Sequence, residues 1–165
     1  MINAKQVILD VAKEFEELTG QHYGFFEEYC LEDAEYAVVA VGSVCGTAKD
    51  AIDALRAKGV KAGLLKVRVY RPFPGEEMAK ALKRCKAIGI MDRAESYSGN
   101  GGPLGAELTA ALYREKVTAE TVNIMYGLSG RDVRVEDVEE VFDWLEKMAV
   151  GELRFDVYPY LGLRD

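Results

Sequence analysis

Short apolar runs that alternate with amphipathic stretches constrain the fold of this chain more than any other feature. These runs begin at Tyr36 and read YAVVAVG, VKAGLLKVRVY, AIGIMD and TVNIMYG. Runs of this length are typical of strands that are buried on both faces of a sheet. Because a helix-like stretch separates each run from the next, the pattern predicts βαβ units and a mostly parallel sheet. We therefore expect an α/β fold with three layers, in the order helices, sheet, helices.

The stretches between and after these runs carry apolar residues at helical spacing. Their apolar faces are Ala48, Ala51, Ile52 and Leu55; Met78, Ala81, Leu82 and Cys85; Leu104, Leu108, Ala111 and Leu112; and Val138, Val141, Phe142 and Leu145. A further helix is predicted over residues 4–18. Its apolar face consists of Val7, Val11, Phe15 and Leu18.

The chain divides into three segments by composition. Residues 1–22 form an N-terminal helix and linker arm, residues 23–150 form the α/β domain, and residues 151–165 form a tail. The aromatic residues of TGQHYGFFEEYC indicate an extended segment that lies over a surface. The tail is also rich in aromatic residues, which are poor choices for a free end, so we expect it to pack on a neighbouring surface.

Composition and charge exclude several classes of function. The net charge of −7 argues against a nucleic-acid partner, because a phosphate backbone attracts basic surfaces. No stretch approaches the ~20 consecutive apolar residues of a membrane-spanning helix. We therefore expect no membrane partner, and we expect the chain to be cytoplasmic. The three cysteines contain no C-x-x-C pair, which argues against a zinc site or an iron–sulfur cluster. They are typical of thiols in a reducing compartment.

Four loops that follow the predicted strands are the candidate site. The loops are GSVCGT (42–47), YRPFP (70–74), DRAESYSGNGGP (92–103) and YGLSGRD (126–132). Because the carboxyl ends of parallel strands share one edge of a sheet, we expect all four loops to open there. The candidate interface or anion-binding residues in them are Gly42, Ser43, Gly46, Thr47, Arg71, Asp92, Arg93, Gly99, Asn100, Gly101, Gly102, Pro103, Gly130, Arg131 and Asp132.

The segment SGNGGPLG is the strongest of these candidates. Its glycines allow the backbone to approach a partner closely, and the helix after it offers free N–H groups to an anion. Pro103 suits the first turn of that helix. No lysine or arginine follows within the turn to hold a phosphate. The sequence therefore leaves open a contact with another protein surface and a bound anion, and we favour the contact.

The other loops also have two interpretations each. GSVCGT matches no phosphate-binding motif and is typical of a tight turn before a helix, with Ser43 or Thr47 as a cap. Arg71 either belongs to a stiff connection or pairs with a carboxylate or phosphate across an interface. Cys45 lies between a strand and a helix, where its pKa could fall and make it a nucleophile. The only histidine, His22, lies in the arm, so a Cys–His pair is not expected.

No complete catalytic set emerges from the sequence. There is no Ser–His–acid combination and no His, Asp or Glu cluster with the spacing of metal ligands. From its residues alone, the chain is interpreted as an accessory domain that works against a partner.

Three segments in this order resemble one known family. VGSVCGTAKDAIDALRAKGVKAGLLKVRVYRPFP, MDRAESYSGNGGPLGAEL and YGLSGRD are similar to the second domain of the alpha subunit of pyruvate:ferredoxin oxidoreductase. That domain is the transketolase C-terminal-like module of the 2-oxoacid:ferredoxin oxidoreductases. The resemblance covers residues 23–148 and implies a transketolase C-terminal-domain-like fold for the α/β domain. Family members often read GLGGRD where this chain has Ser129.

The resemblance implies a function that the residues do not show. Such enzymes oxidise a 2-oxoacid with CoA, release CO2 and reduce ferredoxin, and RPFP favours pyruvate as the substrate. Branched-chain 2-oxoacids and oxalate are the alternative substrates that the sequence leaves open. The complex is expected to use thiamine diphosphate, Mg²⁺, iron–sulfur clusters and CoA, with none of them on this chain. The expected partners are the thiamine-binding and iron–sulfur subunits and, through the complex, ferredoxin, in an assembly that could be dimeric.

Three further expectations follow from the resemblance. The chain is either a subunit from a split gene or an excised domain, it organises the thiamine-binding subunits, and in isolation it is expected to be inactive. The alternative is a free-standing α/β module that binds a nucleotide or CoA at the strand-end edge.

Overall fold

A computed structural model describes residues 3–97 and 99–162. The first residue of SGNGGPLG, the first two residues of the arm and the last three residues of the tail lie outside the described residues. The described chain contains one five-stranded sheet. Its strands are β1 (Phe26–Tyr29), β2 (Tyr36–Val41), β3 (Ala62–Val67), β4 (Ala87–Asp92) and β5 (Glu120–Met125). Their spatial order is β1-β3-β2-β4-β5, with β1 antiparallel to β3 and all other pairs parallel.

The helices cover both faces of this sheet. They are α1 (Ala4–Thr19), α2 (Val44–Ala57), α3 (Gly75–Ala81), α4 (Pro103–Arg114) and α5 (Val135–Ala149). Helices α2 and α5 contribute to one buried cluster against the sheet, and α3 and α4 contribute to the cluster on the opposite face. The predicted three-layer α/β fold with a mostly parallel sheet is therefore confirmed.

Apolar burial at the predicted stripes holds the layers together. Phe142 and Ile52 are fully enclosed in the α2/α5 layer, and Leu82 and Leu108 are fully enclosed in the α3/α4 layer. Burying one such side chain contributes about 1.5–3 kcal/mol relative to leaving it in water. The period of 3.6 residues in the sequence thus selects the faces that the helices turn toward the sheet.

The sequence predicted only an extended segment where the structure has the strand β1. It pairs with β3 at the edge of the sheet, with Glu27 opposite Lys66. The Glu27 carboxylate accepts hydrogen bonds from Lys49 and, at 2.7 Å, from Arg68. These cations, with Lys49 as the main cause, lower the pKa of Glu27. The edge is therefore closed by a short strand that carries a charged cluster, which discourages pairing with other chains.

The C-terminal segment lies along the domain itself. The Met125 N–H donates to the Pro159 carbonyl at 2.9 Å, and the Leu161 N–H donates to the Met125 carbonyl at 2.8 Å. The Phe155 ring packs on Trp144 of α5, with 5.3 Å between ring centres. The segment therefore covers the end of the β5 edge.

The helix α1 differs from the other helices because none of its residues is buried. Val7 is 58% exposed, Val11 is 57% exposed and Leu18 is 85% exposed. A salt bridge of 2.9 Å from Lys5 to Glu77 joins the helix to α3. The predicted helix is thus present. Its apolar face is mostly exposed, with the Phe15 ring packed edge-on against Tyr23 at 5.5 Å between ring centres.

Candidate functional site

The carboxyl ends of β2, β3, β4 and β5 lie at one edge, as the parallel pairing requires. Strands β2 and β4 are neighbours, but the helix after β2 packs on one face of the sheet and the helix after β4 packs on the other. The two connections therefore diverge and open a crevice at a topological switch point. Ligands of open α/β sheets gather in such crevices.

The side chain of Asp92, the last residue of β4, lies at the start of α4. Its carboxylate is 7% exposed and accepts hydrogen bonds from the N–H groups of Leu104, at 3.1 Å, and Gly105, at 2.8 Å. A negative charge at this position also interacts favourably with the helix dipole. The N–H groups at the start of α4, which the sequence predicted to be free for an external anion, therefore donate to a carboxylate of the same chain.

Asn123 in β5 completes this arrangement. Its side-chain oxygen accepts a hydrogen bond of 2.6 Å from the Gly102 N–H. Its Nδ2 group donates to the Ile90 carbonyl at 2.8 Å and to the Asp92 carboxylate at 2.9 Å. Asn123 was not among the site residues predicted from the sequence. An amide in the middle of the apolar run TVNIM was the available signal, because a buried polar group needs partners.

Three glycines of SGNGGPLG lie against these two side chains. A Cβ atom on Gly101 would lie 2.3 Å from Asn123 Oδ1, and one on Gly102 would lie 2.3 Å from the Asp92 side chain. A Cβ atom on Gly105 would lie 2.3 Å from Asn123 Cγ. Gly101 also has a φ of +85°, which favours glycine. The sequence predicted that the backbone of this loop approaches a partner closely. In the structure that backbone lies against side chains of the same chain.

The exposed part of the same loop, Gly99 and Asn100, makes no such internal contact with Asp92 or Asn123. Their role at an interface stays a prediction. Pro103 begins α4, where its missing N–H leaves no donor unpaired.

Arg71 has a carboxylate partner within the chain. Its guanidinium donates to both oxygens of Glu107 in α4, at 3.0 Å and 2.5 Å, and to the Tyr70 carbonyl at 2.9 Å. This bidentate pair ties the connection after β3 to α4. A pairing across an interface, which the sequence left open, is not needed to account for Arg71.

A cavity of about 160 Å³ lies in the crevice between β2 and β4. Ser43 and Thr47 line it from the start of α2, Arg93 lines it from the end of β4, and Arg131 and Asp132 line it from YGLSGRD. The structure therefore brings together five of the predicted residues. Gly42, with a φ of +87°, and the exposed Gly46 flank the start of α2, and Gly130, with a φ of +77°, lies in the turn beside the cavity.

Tyr126, which the sequence analysis did not single out, also lines this cavity. The residue is 3% exposed, and its burial raises the pKa of the phenol to about 12. The Arg93 guanidinium lies 5.9 Å from the centre of the Tyr126 ring. The phenol is therefore a neutral hydrogen-bonding group at neutral pH. Its position directly after the run TVNIM was the signal for it.

The turn GLSGRD contains a strained serine. Ser129 has φ 58° and ψ 28°, the left-handed region that non-glycine residues rarely adopt. Gly127 and Gly130, on either side, also have positive φ values. A glycine at position 129, which the resemblance leads us to expect, would adopt this conformation without strain.

Cys45 is not an activated nucleophile. The residue is 1% exposed, and burial raises the pKa of its thiol to about 11. The low pKa that a catalytic thiol requires is therefore absent, and this interpretation of Cys45 is wrong. A cysteine that begins a helix can have a low pKa, but here desolvation outweighs that effect.

Within residues 3–97 and 99–162, no three His, Cys, Asp or Glu side chains are grouped so that they could hold a metal ion. Within the same ranges no helix has the length and apolar character needed to span a membrane.

The fold and the strand-end edge define the class of this chain: it is a three-layer α/β domain of the kind found in the 2-oxoacid:ferredoxin oxidoreductases. A solved chain of 2-oxoglutarate:ferredoxin oxidoreductase from Magnetococcus marinus superposes with a TM-score of 0.55 over 81% of this chain and 21% of that chain, at 17% identity. The model of one family, pyruvate:ferredoxin oxidoreductase core domain II, matches residues 34–138. The chain belongs to that family.

The chain is also similar in sequence to several curated proteins. It is 41% identical over all of its 165 residues to pyruvate synthase subunit PorA of Thermotoga maritima, covering 41% of that protein. It is 38% identical to the alpha subunit of NADH-dependent phenylglyoxylate dehydrogenase of Aromatoleum evansii, over 92% of this chain and 36% of that protein. It is 40% identical to ketoisovalerate oxidoreductase subunit VorA of Pyrococcus horikoshii, over 88% of this chain and 37% of that protein. The chain thus spans about two fifths of the length of these relatives.

Proposed function

We propose that this chain is the domain II part of a 2-oxoacid:ferredoxin oxidoreductase and that the complex acts on pyruvate. The identity of 41% to a pyruvate synthase subunit over the whole chain carries this proposal. In such a complex pyruvate, CoA and oxidised ferredoxin yield acetyl-CoA, CO2 and reduced ferredoxin. Thiamine diphosphate, iron–sulfur clusters and CoA would be held by other domains or subunits, so no chemical step is assigned to residues of this chain.

The proposal that pyruvate is the substrate rests on the relatives and not on a substrate pocket in this chain. The pyruvate synthase subunits are 37–44% identical to this chain, and the ketoisovalerate and phenylglyoxylate enzymes are 38–40% identical. Because these ranges overlap although the substrates differ, the level of identity does not by itself distinguish one 2-oxoacid from another. The choice of pyruvate therefore rests on the number of pyruvate enzymes among the relatives and on RPFP.

The role of this chain within the complex is organisational. Val7, Val11 and Leu18 on the apolar face of α1 are exposed, and the matched segment is less than half of the length of the relatives. An exposed apolar stripe on an amphipathic helix is typical of a protein contact. We assign this face, formed by Val7, Val11 and Leu18, to the contact with the thiamine-binding part of the complex.

Co-purification with the thiamine-binding and iron–sulfur subunits tests the organisational role. Val11→Asp combined with Leu18→Asp places two charges on the apolar face of α1 and should reduce recovery of the complex at least about tenfold, because buried unpaired charges are costly. Lys13→Asp, on the opposite face of α1, is the control and should leave recovery unchanged. Circular dichroism should show the same fold for all three proteins. Equal recovery of the complex with both variants would refute the role of α1.

Activity of the reconstituted complex tests the proposed reaction. We expect CoA-dependent reduction of ferredoxin with pyruvate, and a kcat/KM at least about tenfold lower with 2-oxoisovalerate or 2-oxoglutarate. This chain alone should show no turnover. Pyruvate decarboxylation by the isolated chain, or a preference of the complex for another 2-oxoacid, would contradict the proposal.

A further inference from the structure

We propose that the cavity at the start of α2 binds a single phosphoryl group of a small phosphorylated molecule. The cavity is formed by residues of this chain alone, so the inference is independent of the assembly proposed above. The ligand would lie between the first turn of α2 and the side chains of Arg93, Arg131 and Tyr126.

The first turn of α2 has free hydrogen-bond donors. The N–H groups of Ser43 and Val44 make no hydrogen bond to any described residue. The first turn of α2 also contains no acidic residue, and the Ser43 side chain makes no capping hydrogen bond. The positive end of a 14-residue helix dipole therefore faces the cavity without a counter-charge from its own turn.

Two arginines add positive charge from other elements. Arg93 follows β4 and donates a long hydrogen bond of 3.4 Å to the Gly127 carbonyl. Arg131 donates to the Gly162 carbonyl, which orients its guanidinium beside the cavity. Neither arginine forms a salt bridge with a described residue. Asp132 contributes one negative charge to the lining, so the two guanidiniums leave it net positive.

Tyr126 is the observation that points to a polar ligand independently of the helix. The side chain is 97% buried, and its hydroxyl makes no hydrogen bond to a described residue. Among the described residues no enclosed side-chain oxygen or nitrogen lacks a partner. The Tyr126 hydroxyl must therefore be reached by solvent, and the residue lines the cavity. A buried phenol that lines a basic cavity, and whose hydroxyl has no partner among the described residues, is placed to donate to an anion.

The size and place of the cavity restrict the ligand. A volume of about 160 Å³ is roughly five times that of one water molecule in the liquid, which is about 30 Å³. This space accommodates one phosphoryl group and does not enclose a nucleoside. The position between β2 and β4 is the switch point at which open α/β sheets bind ligands. Because the whole chain carries a net charge of −7, nonspecific attraction of phosphate is disfavoured.

Titration of the 165-residue chain with inorganic phosphate tests the proposal. In ¹H–¹⁵N spectra at constant ionic strength, the Ser43 and Val44 amide signals should shift and saturate with a Kd below about 10 mM. Glycerol phosphate should bind similarly, because its phosphoryl group is the part recognised. Acetate at the same ionic strength should bind at least about fivefold more weakly, which separates a phosphoryl site from a carboxylate site.

Four variants locate the binding. Arg131→Gln should weaken phosphate binding about tenfold or more, because it removes a charge-assisted donor. Tyr126→Phe should weaken it about threefold to tenfold, and Asp132→Asn should strengthen it severalfold. Arg84→Gln removes an exposed arginine from the opposite end of the sheet and should have no effect.

Three results would overturn the proposal. They are a phosphate response that does not saturate, acetate binding as tight as phosphate binding, and unchanged phosphate affinity in both Arg131→Gln and Tyr126→Phe. Circular dichroism of each variant confirms that the fold is intact, so that a lost site is distinguished from a lost structure.

Discussion

Replacing Asp92 by asparagine perturbs the strand-end edge without changing its shape. The carboxylate accepts three hydrogen bonds, from the Leu104 and Gly105 N–H groups and from Asn123 Nδ2. An asparagine side chain offers one oxygen and one NH2 group, so at least one of these donors then faces another donor. Since Asp92 is 7% exposed, the displaced N–H group has little access to water.

The expected loss in the free energy of unfolding follows from the arrangement of the three donors around Asp92. One oxygen of Asp92 accepts from Gly105 and Asn123, and the other accepts from Leu104. In its better orientation the amide keeps two of the three bonds and leaves the Leu104 N–H unpaired, at a cost of about 1–3 kcal/mol. The retained bonds lose the assistance of the charge, which is worth about 1 kcal/mol in total at this helix start. We expect Asp92→Asn to lower the free energy of unfolding by about 2–4 kcal/mol.

Urea denaturation measures this loss directly. The fluorescence of Trp144, the only tryptophan, and far-ultraviolet circular dichroism should give coincident transitions with an unchanged m value. For a chain of this size the loss corresponds to a fall in Tm of roughly 5–15 °C. Asp156→Asn is the matched control, since Asp156 is exposed, and should change stability by less than about 0.5 kcal/mol. A loss for Asp92→Asn as small as that of the control would refute the assignment of Asp92 as the internal anion of α4.

Three further predictions concern other parts of the chain. Ser129→Gly should raise the free energy of unfolding by about 0.5–1 kcal/mol in urea titrations, because it relieves a left-handed φ of 58°, and a loss of stability would contradict this. Iodoacetamide at pH 8 should label the half-buried Cys30 well before Cys45, whose enclosed thiol has a pKa of about 11, and mass spectrometry that finds both labelled at equal rates would contradict it. Because the folded pKa of Glu27 lies below the usual 4.5, its ion pairs stabilise the fold above pH 4.5 and this contribution is lost as the pH falls through the lowered pKa. Glu27→Gln should therefore cost about 1 kcal/mol at pH 7 and less at low pH, whereas Glu28→Gln, at an exposed position, should cost little at either pH.

The sequence predicted the layers of the fold because burial follows periodicity. The stripe that includes Leu104, Leu108 and Leu112 recurs at helical spacing, and all three side chains are buried against the sheet. The same reasoning did not reveal that Val7, Val11 and Leu18 on the apolar face of α1 stay exposed. An amphipathic pattern shows which face of a helix seeks an apolar partner, but it does not show whether that partner belongs to the same chain.

The candidate site was predictable only in part, because its key contacts depend on the register of the sheet. The four loops could be placed at one edge from the βαβ pattern alone. The contact between Asp92 and Asn123 could not, since it requires β4 and β5 to pair with Ile90 opposite Asn123. A shift of one residue would turn Asn123 to the other face of the sheet. No local pattern in the sequence encodes that pairing.

The two helices that begin at the crevice show why glycine content is a poor guide to anion binding. The glycine-rich turn before α4 looks like a phosphate cradle, but Asp92 uses the Leu104 and Gly105 amides and its glycines fit around side chains of the same chain. The turn before α2 matches no phosphate-binding motif, yet its amides at Ser43 and Val44 have no partner within the described chain. What distinguishes the two turns is where their N–H groups are satisfied, because each buried donor needs a partner. An external anion would therefore find open N–H groups at α2, whereas at α4 it would first have to displace a carboxylate that is covalently part of the fold.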